Sequence, residues 1–241
     1  MGNGEWGVGS GEWETRHCSP FPIPYSLLPT PYSLLPTPYS PLPMPNHAIF
    51  LDRDGTLNEE NGHITAPDQF RLFSFAAEAV RLINQSGRMA VVLTNQSGIA
   101  RDYLTEADLL KIHERMEKSL RLQEARLDAI YYCPHHPDYG SPPYRLDCDC
   151  RKPKPGLVER AAKDFNLDLS RCYVVGDRYR DIEAGYAAGA RGVFVMTGLG
   201  REEYETERRH WPRQPDHVAE DLLEAVKWIL AIADCGLRIA D

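Results

Sequence analysis

Two aspartates that follow a short apolar run are the first residues of this chain whose types and spacing suggest chemistry. Asp52 and Asp54 come directly after the run at residues 48–51 and precede a Gly-Thr pair. Side chains two apart on an extended backbone point to the same side, so the two carboxylates should lie close together. Asp177, after another apolar run, offers a third carboxylate. A lone aspartate here would be a turn or cap residue, whereas three close negative charges need a cation such as Mg²⁺, which prefers oxygen ligands.

Groups suited to binding a phosphate follow the next apolar run. Thr94 offers a hydroxyl and Asn95 an amide, and the Gln-Ser-Gly turn at residues 96–98 offers backbone N–H groups. Lys152 adds a positive point charge, although taken alone it would be an ordinary surface lysine. A carboxylate nucleophile, Mg²⁺ and a lysine are the equipment of phosphoryl transfer, in which charge on the phosphoryl oxygens must be neutralised during in-line attack.

Three cysteines and a histidine form a second group with the spacing of metal ligands. Cys133 and His135 make one close pair, and Cys148 and Cys150 make another. Four soft or borderline ligands in two pairs suit tetrahedral Zn²⁺, with no position left open for catalysis. His136 is the competing histidine ligand. A disulfide between the cysteines at 148 and 150 would be strained, so we favour zinc.

The predicted zinc loop leads directly into two cationic side chains. Arg151 and Lys152 follow the last cysteine without a gap. We therefore expect the metal to stiffen a long insertion and to fix both cations over the site, so that loss of zinc lowers activity without touching the chemistry. The loop lacks the interleaved basic and aromatic residues of a nucleic-acid finger.

The elements that carry these residues alternate between apolar runs and amphipathic stretches. Gly87 is a predicted helix stop, and Thr105 with Asp108 forms a predicted capping box. This alternation predicts an α/β fold with a doubly wound parallel sheet, whose strands all present their carboxyl ends, and hence the residues above, at one edge. Strands are predicted at 48–51, 89–93, 129–132, 172–175 and 192–196, and helices at 75–86, 105–122, 155–165, 180–189 and 220–232.

The net charge and the hydropathy of the chain limit the classes of partner that it can bind. The chain of 241 residues carries 27 Lys and Arg against 35 Asp and Glu, a net charge of −8, and this argues against general binding of nucleic acid. No uninterrupted apolar stretch approaches the roughly 20 residues of a membrane helix, and the N-terminus lacks a signal-peptide pattern. We expect a cytoplasmic monomer that acts on a small molecule and has no nucleic-acid or membrane partner.

The first 45 residues differ in composition from the rest. Ten of the 19 prolines lie at or before Pro45, and the segment at 24–30 recurs at 31–37. Such a repeat predicts an extended, disordered tail ahead of one domain at 46–241. It could serve as a docking ligand for an aromatic-lined groove, and the simpler interpretation is an unstructured appendage. A further interpretation is that Met44 is the physiological start and that the repeat is translated upstream sequence.

Taken in order, the catalytic candidates resemble the four motifs of the haloacid-dehalogenase (HAD) superfamily of phosphatases. The resemblance implies that Asp52 is the nucleophile and that Asp54 protonates the leaving group and then activates water. It implies that Thr94 and Lys152 hold the phosphoryl group. The matching residues span roughly 48–198 and are Asp52-x-Asp54-Gly55-Thr56, Thr94-Asn95, Lys152 and Gly176-Asp177…Asp181.

The same resemblance implies a magnesium site and a HAD-like fold with a minimal cap and a zinc-stabilised loop. Mg²⁺ would be held by the Asp52 carboxylate, the Asp54 backbone carbonyl and Asp177. Asp181 would be a partner outside the ligand set, or else an acid in the first turn of a helix. The family pattern favours His135 over His136 as the zinc ligand.

Two HAD subfamilies combine these motifs with such a zinc loop: the heptose 1,7-bisphosphate phosphatases and the histidinol-phosphate phosphatases. The strings around Thr94, Cys133 and Lys152 resemble the heptose enzymes closely, and histidinol enzymes typically have Asp where Ser97 stands. The leading hypothesis is removal of the 7-phosphate of a heptose bisphosphate for a nucleotide-heptose pathway to a surface polysaccharide. Histidinol-phosphate phosphatase is the alternative, and a polynucleotide 3′-phosphatase or a non-catalytic zinc-stabilised module is more remote.

A bisphosphate needs a second anion site away from the metal, for which arginine forks are suited. Arg151 and Arg178 are the candidates, and the polar loop after the nucleophile could contact sugar hydroxyls. The structural alternatives are a loop salt bridge or a solvated turn. The predicted substrate contacts are Arg53, Glu60, Asn61, Gly62, His63, Asn95, Gln96, Ser97, Arg151 and Arg178.

Overall fold

A six-stranded parallel sheet forms the centre of the protein. The computed structural model describes residues 47–60 and 62–237, all within one compact unit, Pro41–Asp241. The predicted boundary at 45/46 and the proline-rich repeat lie outside these residues. The strand order is β3-β2-β1-β4-β5-β6, and every pairing is parallel. The strands are β1 (Ala48–Leu51), β2 (Met89–Asn95), β3 (Ala129–Cys133), β4 (Tyr173–Gly176), β5 (Arg191–Val195) and β6 (His217–Ala219).

Helices connect successive strands. Thr105 and Asp108 form the predicted capping box at the start of α2, and Gly87 has a φ of +73° just beyond α1, as a helix stop requires. The helices are α1 (Ala76–Gln85), α2 (Glu106–Arg121), α3 (Gly156–Phe165), α4 (Tyr179–Ala187), α5 (Gly200–Glu207) and α6 (Leu222–Leu237).

The two faces of the sheet are covered by different helices. Ile49 and Leu51 of β1 pack with α1, α2 and α6, whereas Ala48 and Phe50 face α3. Because successive side chains of a strand alternate, a strand buried on both faces reads as the continuous apolar run seen in the sequence. The doubly wound parallel fold predicted from that pattern is confirmed.

Two elements were missed. The strand at His217–Ala219 is three residues long, and the helix at Gly200–Glu207 has a polar sequence without an apolar stripe. The fourth strand begins at Tyr173, one residue later than predicted, because Cys172 N–H still closes the preceding turn on Leu169 O. Among the described helices, none has both the length and the apolar character that crossing a membrane requires.

The two long connections between sheet strands and helices, β1 to α1 and β3 to α3, do not form a large cap domain. Among its described residues, the segment between β1 and α1 contains a short 3₁₀ turn at Pro67–Gln69 and no α-helix. The segment between β3 and α3, at residues 134–155, contains no helix and holds two of the clustered cysteines. The carboxyl edge of the sheet therefore opens between loops rather than beneath a second domain.

Candidate active site

Asp52 and Asp177 lie at the point where the chain reverses its direction across the sheet. After β1 the next strands are added on one side, and β4 is added on the other. Asp52 N–H donates to Val175 O at 2.9 Å, so the pairing of β1 with β4 extends to the aspartate itself. Ligands bind at such switch points in open α/β sheets.

Three carboxylates meet at this edge. Asp52, Asp177 and Asp181 are all buried, and each offers an oxygen within 4.8 Å of the others. Burial raises the pKa of Asp52 to about 7, with Lys152 opposing the shift and Asp181 adding to it. Burial and the charges of Asp52 and Asp181 raise the pKa of Asp177 well above its usual value. Crowded oxygen donors of one charge are the set that a hard divalent cation binds, so the residues fit Mg²⁺.

Lys152 is the buried cation of the cluster. Its Nζ donates to Asp52 Oδ1 at 2.6 Å, to the Leu93 carbonyl at 2.8 Å and lies 2.7 Å from Asp181 Oδ1. Burial would lower the pKa of Lys152, but Asp181 and Asp52 outweigh it and raise the pKa. One ammonium against three carboxylates leaves a net negative charge for a metal ion to neutralise.

Asp181 also ends the first turn of α4. Its Oδ2 accepts the Arg178 N–H at 3.1 Å while its Oδ1 contacts Lys152. The two sequence interpretations of Asp181, a helix acid and a partner of the site, therefore describe one side chain that does both.

Gly55 makes the turn after the nucleophile strand possible. Its φ is +85°, and a Cβ at this position would overlap the Asp177 carboxylate. Asp177 Oδ2 also accepts a hydrogen bond from the Leu199 N–H at 2.9 Å. A side chain at position 55 would therefore push the third carboxylate out of the cluster.

Asp54 is held by three side chains. Arg53 Nη2 donates to Oδ2 at 2.7 Å, Asn58 Nδ2 donates to Oδ1 at 3.0 Å, and Gln96 Nε2 donates to Oδ2 at 2.8 Å. Burial alone would raise the pKa of Asp54, but the Arg53 charge and these hydrogen bonds hold it below its usual value. Arg53 is 1% exposed, and its guanidinium donates to the Asp54 carboxylate at the edge of the cleft.

Asn95 fixes the backbone of Lys152. Its Nδ2 donates to Lys152 O, and its Oδ1 accepts Lys152 N–H, each at 3.1 Å. The amide is thereby committed to positioning the lysine. Thr94, 1% exposed, accepts a hydrogen bond from Gln96 Nε2 at 2.8 Å beside it.

The cysteine cluster forms as predicted, with His135 as its histidine. The ligand atoms of Cys133, His135, Cys148 and Cys150 lie within 4.8 Å of one another, and His135 Nδ1 is 3.4 Å from Cys150 Sγ. His136 Nδ1 instead accepts Asp138 N–H at 3.1 Å. The four donors could hold one tetrahedral soft metal ion.

The metal loop contacts the turn that follows β2. Arg101 stacks on the Tyr139 ring with its guanidinium carbon 3.5 Å from the ring centroid. A Cβ at Gly140 would overlap the Ala100 carbonyl, so only glycine allows this approach. The loop that carries Lys152 and the turn that carries Gln96 are thus packed together.

The mouth of the cleft is lined mainly by charged side chains. Arg178 already pairs with Glu203, whereas the Arg151 side chain donates to the His135 carbonyl at 3.1 Å and forms no ion pair among the described residues. Arg180, which the sequence analysis missed, also lines the cleft, and no carboxylate among the described residues pairs with it. It lies between Asp177 and Asp181 of the last quoted motif, shortly after the apolar run at 172–175, and this position was the signal that it could reach the same edge of the sheet.

Most of the predicted site residues converge on this cleft. Glu60 accepts Gly62 N–H at 2.8 Å, and His63 lies against Tyr103 with ring centroids 5.0 Å apart. Asn61 lies outside the described residues. The predicted residues that line the cleft are Asp52, Arg53, Asp54, Glu60, Gly62, His63, Thr94, Asn95, Gln96, Ser97, Arg151, Lys152, Arg178 and Asp181.

Known proteins resemble this chain in sequence and structure. Residues 149–225 match the HAD-hydrolase-like family model. The chain is 46% identical over 183 residues to D-glycero-beta-D-manno-heptose-1,7-bisphosphate 7-phosphatase of Pasteurella multocida (strain Pm70), covering 76% of this chain and 96% of that protein. It is 41% identical over 189 residues to D-glycero-D-manno-heptose-1,7-bisphosphate 7-phosphatase of Thermosynechococcus vestitus (strain NIES-2133 / IAM M-273 / BP-1), covering 76% and 94%.

A solved structure shares the fold. It is D,D-heptose 1,7-bisphosphate phosphatase from B. bronchiseptica complexed with magnesium and phosphate. Its TM-score is 0.68 at 33% sequence identity, and the match covers 76% of this chain and 98% of that one.

Proposed function

Because the chain belongs to the heptose-1,7-bisphosphate 7-phosphatase family of HAD-like hydrolases, we propose that it removes the 7-phosphate of D-glycero-D-manno-heptose 1,7-bisphosphate. It is a phosphoric monoester hydrolase. The observation that carries the proposal is the cluster of Asp52, Asp177 and Asp181, two of which contact Lys152, in a chain whose match covers 96% of the Pasteurella multocida relative. The product would supply nucleotide-activated heptose for a surface polysaccharide.

Mg²⁺ is the proposed cofactor of the cleft. The Asp52 and Asp177 carboxylates and the Asp54 backbone carbonyl would hold it, and the bound ion would neutralise charge on the phosphoryl oxygens. The buried carboxylates support this assignment, as does the magnesium in the related B. bronchiseptica structure.

In the first step, an Asp52 carboxylate oxygen attacks the phosphorus and the bond to the sugar oxygen breaks. Asp54 gives its proton to that leaving oxygen, while Thr94 and Lys152 hold the phosphoryl group. In the observed arrangement the Arg53 charge and the hydrogen bonds to Asp54 hold its pKa below the usual value, which favours the carboxylate. An incoming phosphate adds negative charge beside it, which raises the pKa of the carboxyl and favours uptake of the proton it needs.

In the second step, water attacks the phosphorus of the aspartyl-phosphate and passes a proton to Asp54. The bond from phosphorus to Asp52 breaks, inorganic phosphate leaves and the Asp52 carboxylate is restored. Asp54 therefore serves as acid and then as base, and it ends the cycle protonated for the next leaving group.

The distal phosphate would be recognised at the mouth. Arg151 and Arg180 are the best-suited guanidinium groups, because Arg178 is already neutralised by Glu203. Arg178 can still contribute if its pair with Glu203 opens. Glu60, Asn61, Gly62 and His63 are the proposed contacts of the sugar hydroxyls, together with Ser97 and Gln96, which also line the cleft.

Zn²⁺ is the proposed occupant of the cysteine cluster. The four donors leave no open position, so the ion would be structural. It would stiffen the loop that delivers Arg151 and Lys152. We further propose that the enzyme is a cytoplasmic monomer whose partner is its sugar phosphate.

A substrate panel tests the proposed function. Phosphate release would be measured with both anomers of the heptose bisphosphate, with histidinol phosphate and with a 3′-phosphorylated oligonucleotide, each with and without Mg²⁺. We expect one phosphate to be released from a heptose anomer, in a Mg²⁺-dependent manner. The Pasteurella relative is named for the beta form, so that anomer is expected to react faster. Faster turnover of histidinol phosphate would overturn the proposal.

A further inference from the structure

Arg53 is fully buried beside the active site, and its donors point in two directions. Its Nε and Nη2 donate to Asp54 at 3.0 and 2.7 Å. Its Nη1 lies 3.3 Å from Nε2 of His113, a residue of α2. Arginine has no acceptor, so His113 must accept this hydrogen bond through an unprotonated Nε2. His113 thus contacts the arginine on the side opposite Asp54.

His113 is held rigidly and uncharged. The side chain is 5% exposed and does not line the cleft. Tyr132 packs edge-on against the imidazole with ring centroids 5.9 Å apart, and the Tyr132 hydroxyl donates to Glu106 at 2.6 Å. Burial, with the Arg53 charge, lowers the pKa of His113 to about 3, so the ring remains an acceptor at neutral pH.

The position of Asp54 depends on how Arg53 is oriented. A guanidinium is planar, so fixing Nη1 also fixes the fork formed by Nε and Nη2. Removing the acceptor leaves a buried N–H without a partner, and the group then turns to satisfy it. Asp54 would follow, because two donors of Arg53 hold it.

We propose that His113 is a positioning residue for Asp54, acting through Arg53. The inference rests on the proposed function, in which Asp54 protonates the leaving oxygen. His113 contacts neither the substrate nor the reacting atoms, and its contribution is to hold the acid where the leaving oxygen emerges.

The test compares two esters in single-turnover experiments. Heptose 1,7-bisphosphate releases a strongly basic alkoxide that needs a proton, whereas p-nitrophenyl phosphate releases a weakly basic phenolate that does not. We expect His113→Leu to slow release of the heptose monophosphate about tenfold, as for the loss of one charged hydrogen bond, and to slow p-nitrophenol release less than about twofold. In separate steady-state measurements KM should stay within about twofold for both esters, because no substrate contact is lost.

Conservative variants separate positioning from packing. His113→Gln places an amide oxygen near the position of Nε2 and should retain the wild-type ratio of the two rates. His113→Asn is too short to reach Arg53 and should reproduce the ester-selective loss, even if the leucine variant fails to fold. Met116→Leu, a volume-conserving change at another buried position of α2, is the packing control and should leave the ratio unchanged.

Equal slowing of both esters, or no slowing in the asparagine and leucine variants, would overturn the inference. Asp54→Asn distinguishes this from failure of the proposed function. If Asp54→Asn slows the heptose ester selectively while the His113 variants do not, Asp54 remains the acid and His113 has no positioning role. If Asp54→Asn itself shows no selectivity, the acid assignment and the inference both fail.

Discussion

At the scale of single residues, the active site must balance the negative charges of its carboxylates against the positive charge of Lys152. Lys152 uses all three of its donors within the protein, on Asp52, Asp181 and the Leu93 carbonyl. No donor of the ammonium is left for a phosphate unless one of these contacts lengthens. A cation that binds Asp52 and Asp177 would weaken the ion pair between Asp52 and Lys152. Metal binding should therefore free a donor of the Lys152 ammonium for the phosphate of the substrate.

Replacing the nucleophile should abolish turnover. Asp52→Asn removes the oxygen that attacks phosphorus, and we expect kcat to fall at least about a thousandfold, consistent with losing covalent catalysis. Wild-type enzyme should also trap beryllium fluoride at this position with Mg²⁺, detectable by mass spectrometry or crystallography, and the variant should not. Unchanged phosphate release by the variant would show that another group is the nucleophile.

His113 should also affect stability toward acid. Its folded-state pKa of about 3 lies below its ordinary value of 6.5, so the unfolded chain takes up the proton first. Its contribution to the free energy of unfolding is therefore complete above pH 6.5 and is lost as the pH falls toward 3, at about 1.4 kcal/mol per pH unit. Urea denaturation of wild type and His113→Gln across this range measures it. A difference between the two proteins that does not change with pH would contradict the assignment.

At the scale of elements, the loop that carries the cysteines is the part whose order the active site requires. It delivers Lys152 on one side and packs Tyr139 and Gly140 against the turn after β2 on the other. The Asn95 side chain joins the two by bonding the Lys152 backbone twice. Disturbing the loop should therefore shift the lysine and Gln96 together.

Metal removal provides the corresponding test. A zinc chelator, or Cys148→Ser, should lower kcat about tenfold or more while the sheet and helices persist, because only the position of Lys152 and its neighbours changes. Far-ultraviolet circular dichroism and activity in excess Mg²⁺ would be compared before and after treatment, with Cys172→Ser as the control for a buried thiol outside the cluster. Full activity after verified loss of the metal would refute a structural role.

The sequence predicted those parts of the fold and site that follow from local patterns. Continuous apolar runs indicated five strands, and residues at their ends, such as Asp52 and Asp177, were expected to meet for purely geometric reasons. The burial of Arg53 and its contact with His113 could not be predicted, because they join α2 to the end of β1 across 60 residues. The strand at His217–Ala219 was too short to give a pattern. Arg180 lies between Asp177 and Asp181 of a quoted motif, but the sequence alone does not show that its side chain faces the cleft.

At the scale of the whole molecule, the net charge of the protein and the arginines at the mouth of its cleft have opposite effects on an approaching anionic substrate. The chain carries a net charge of −8, which repels a bisphosphate at long range. Arg151 and Arg180 line the mouth and offset this repulsion over a short distance, whereas Arg178 is paired with Glu203. Screening at physiological salt limits the repulsion to about 8 Å, so the arginines dominate once the substrate reaches the cleft.

The proline-rich segment should be dispensable for catalysis. Every residue assigned to the chemistry lies between Asp52 and Asp181, and the strand that carries the nucleophile begins at Ala48. A chain that begins at Met44 should fold with the same melting temperature and retain the kcat and KM of the full chain. Both forms would be compared on the heptose bisphosphate. A lower kcat in the shortened chain would show that the repeat contributes to the enzyme.

The placement of β1 between β2 and β4 determines when during folding the enzyme becomes active. Asp52 meets Lys152 across 100 residues of chain, and closing so long a loop is slow compared with forming the helices within it. An intermediate in which β4 has not yet docked could already hold Lys152 through Asn95, but it would lack the carboxylates of Asp177 and Asp181, which follow β4. Stopped-flow refolding should therefore regain helical circular dichroism before Mg²⁺-dependent turnover, and identical time courses would exclude such an intermediate. Activity thus reports the pairing of β4 with β1, by which the two halves of the sheet are joined.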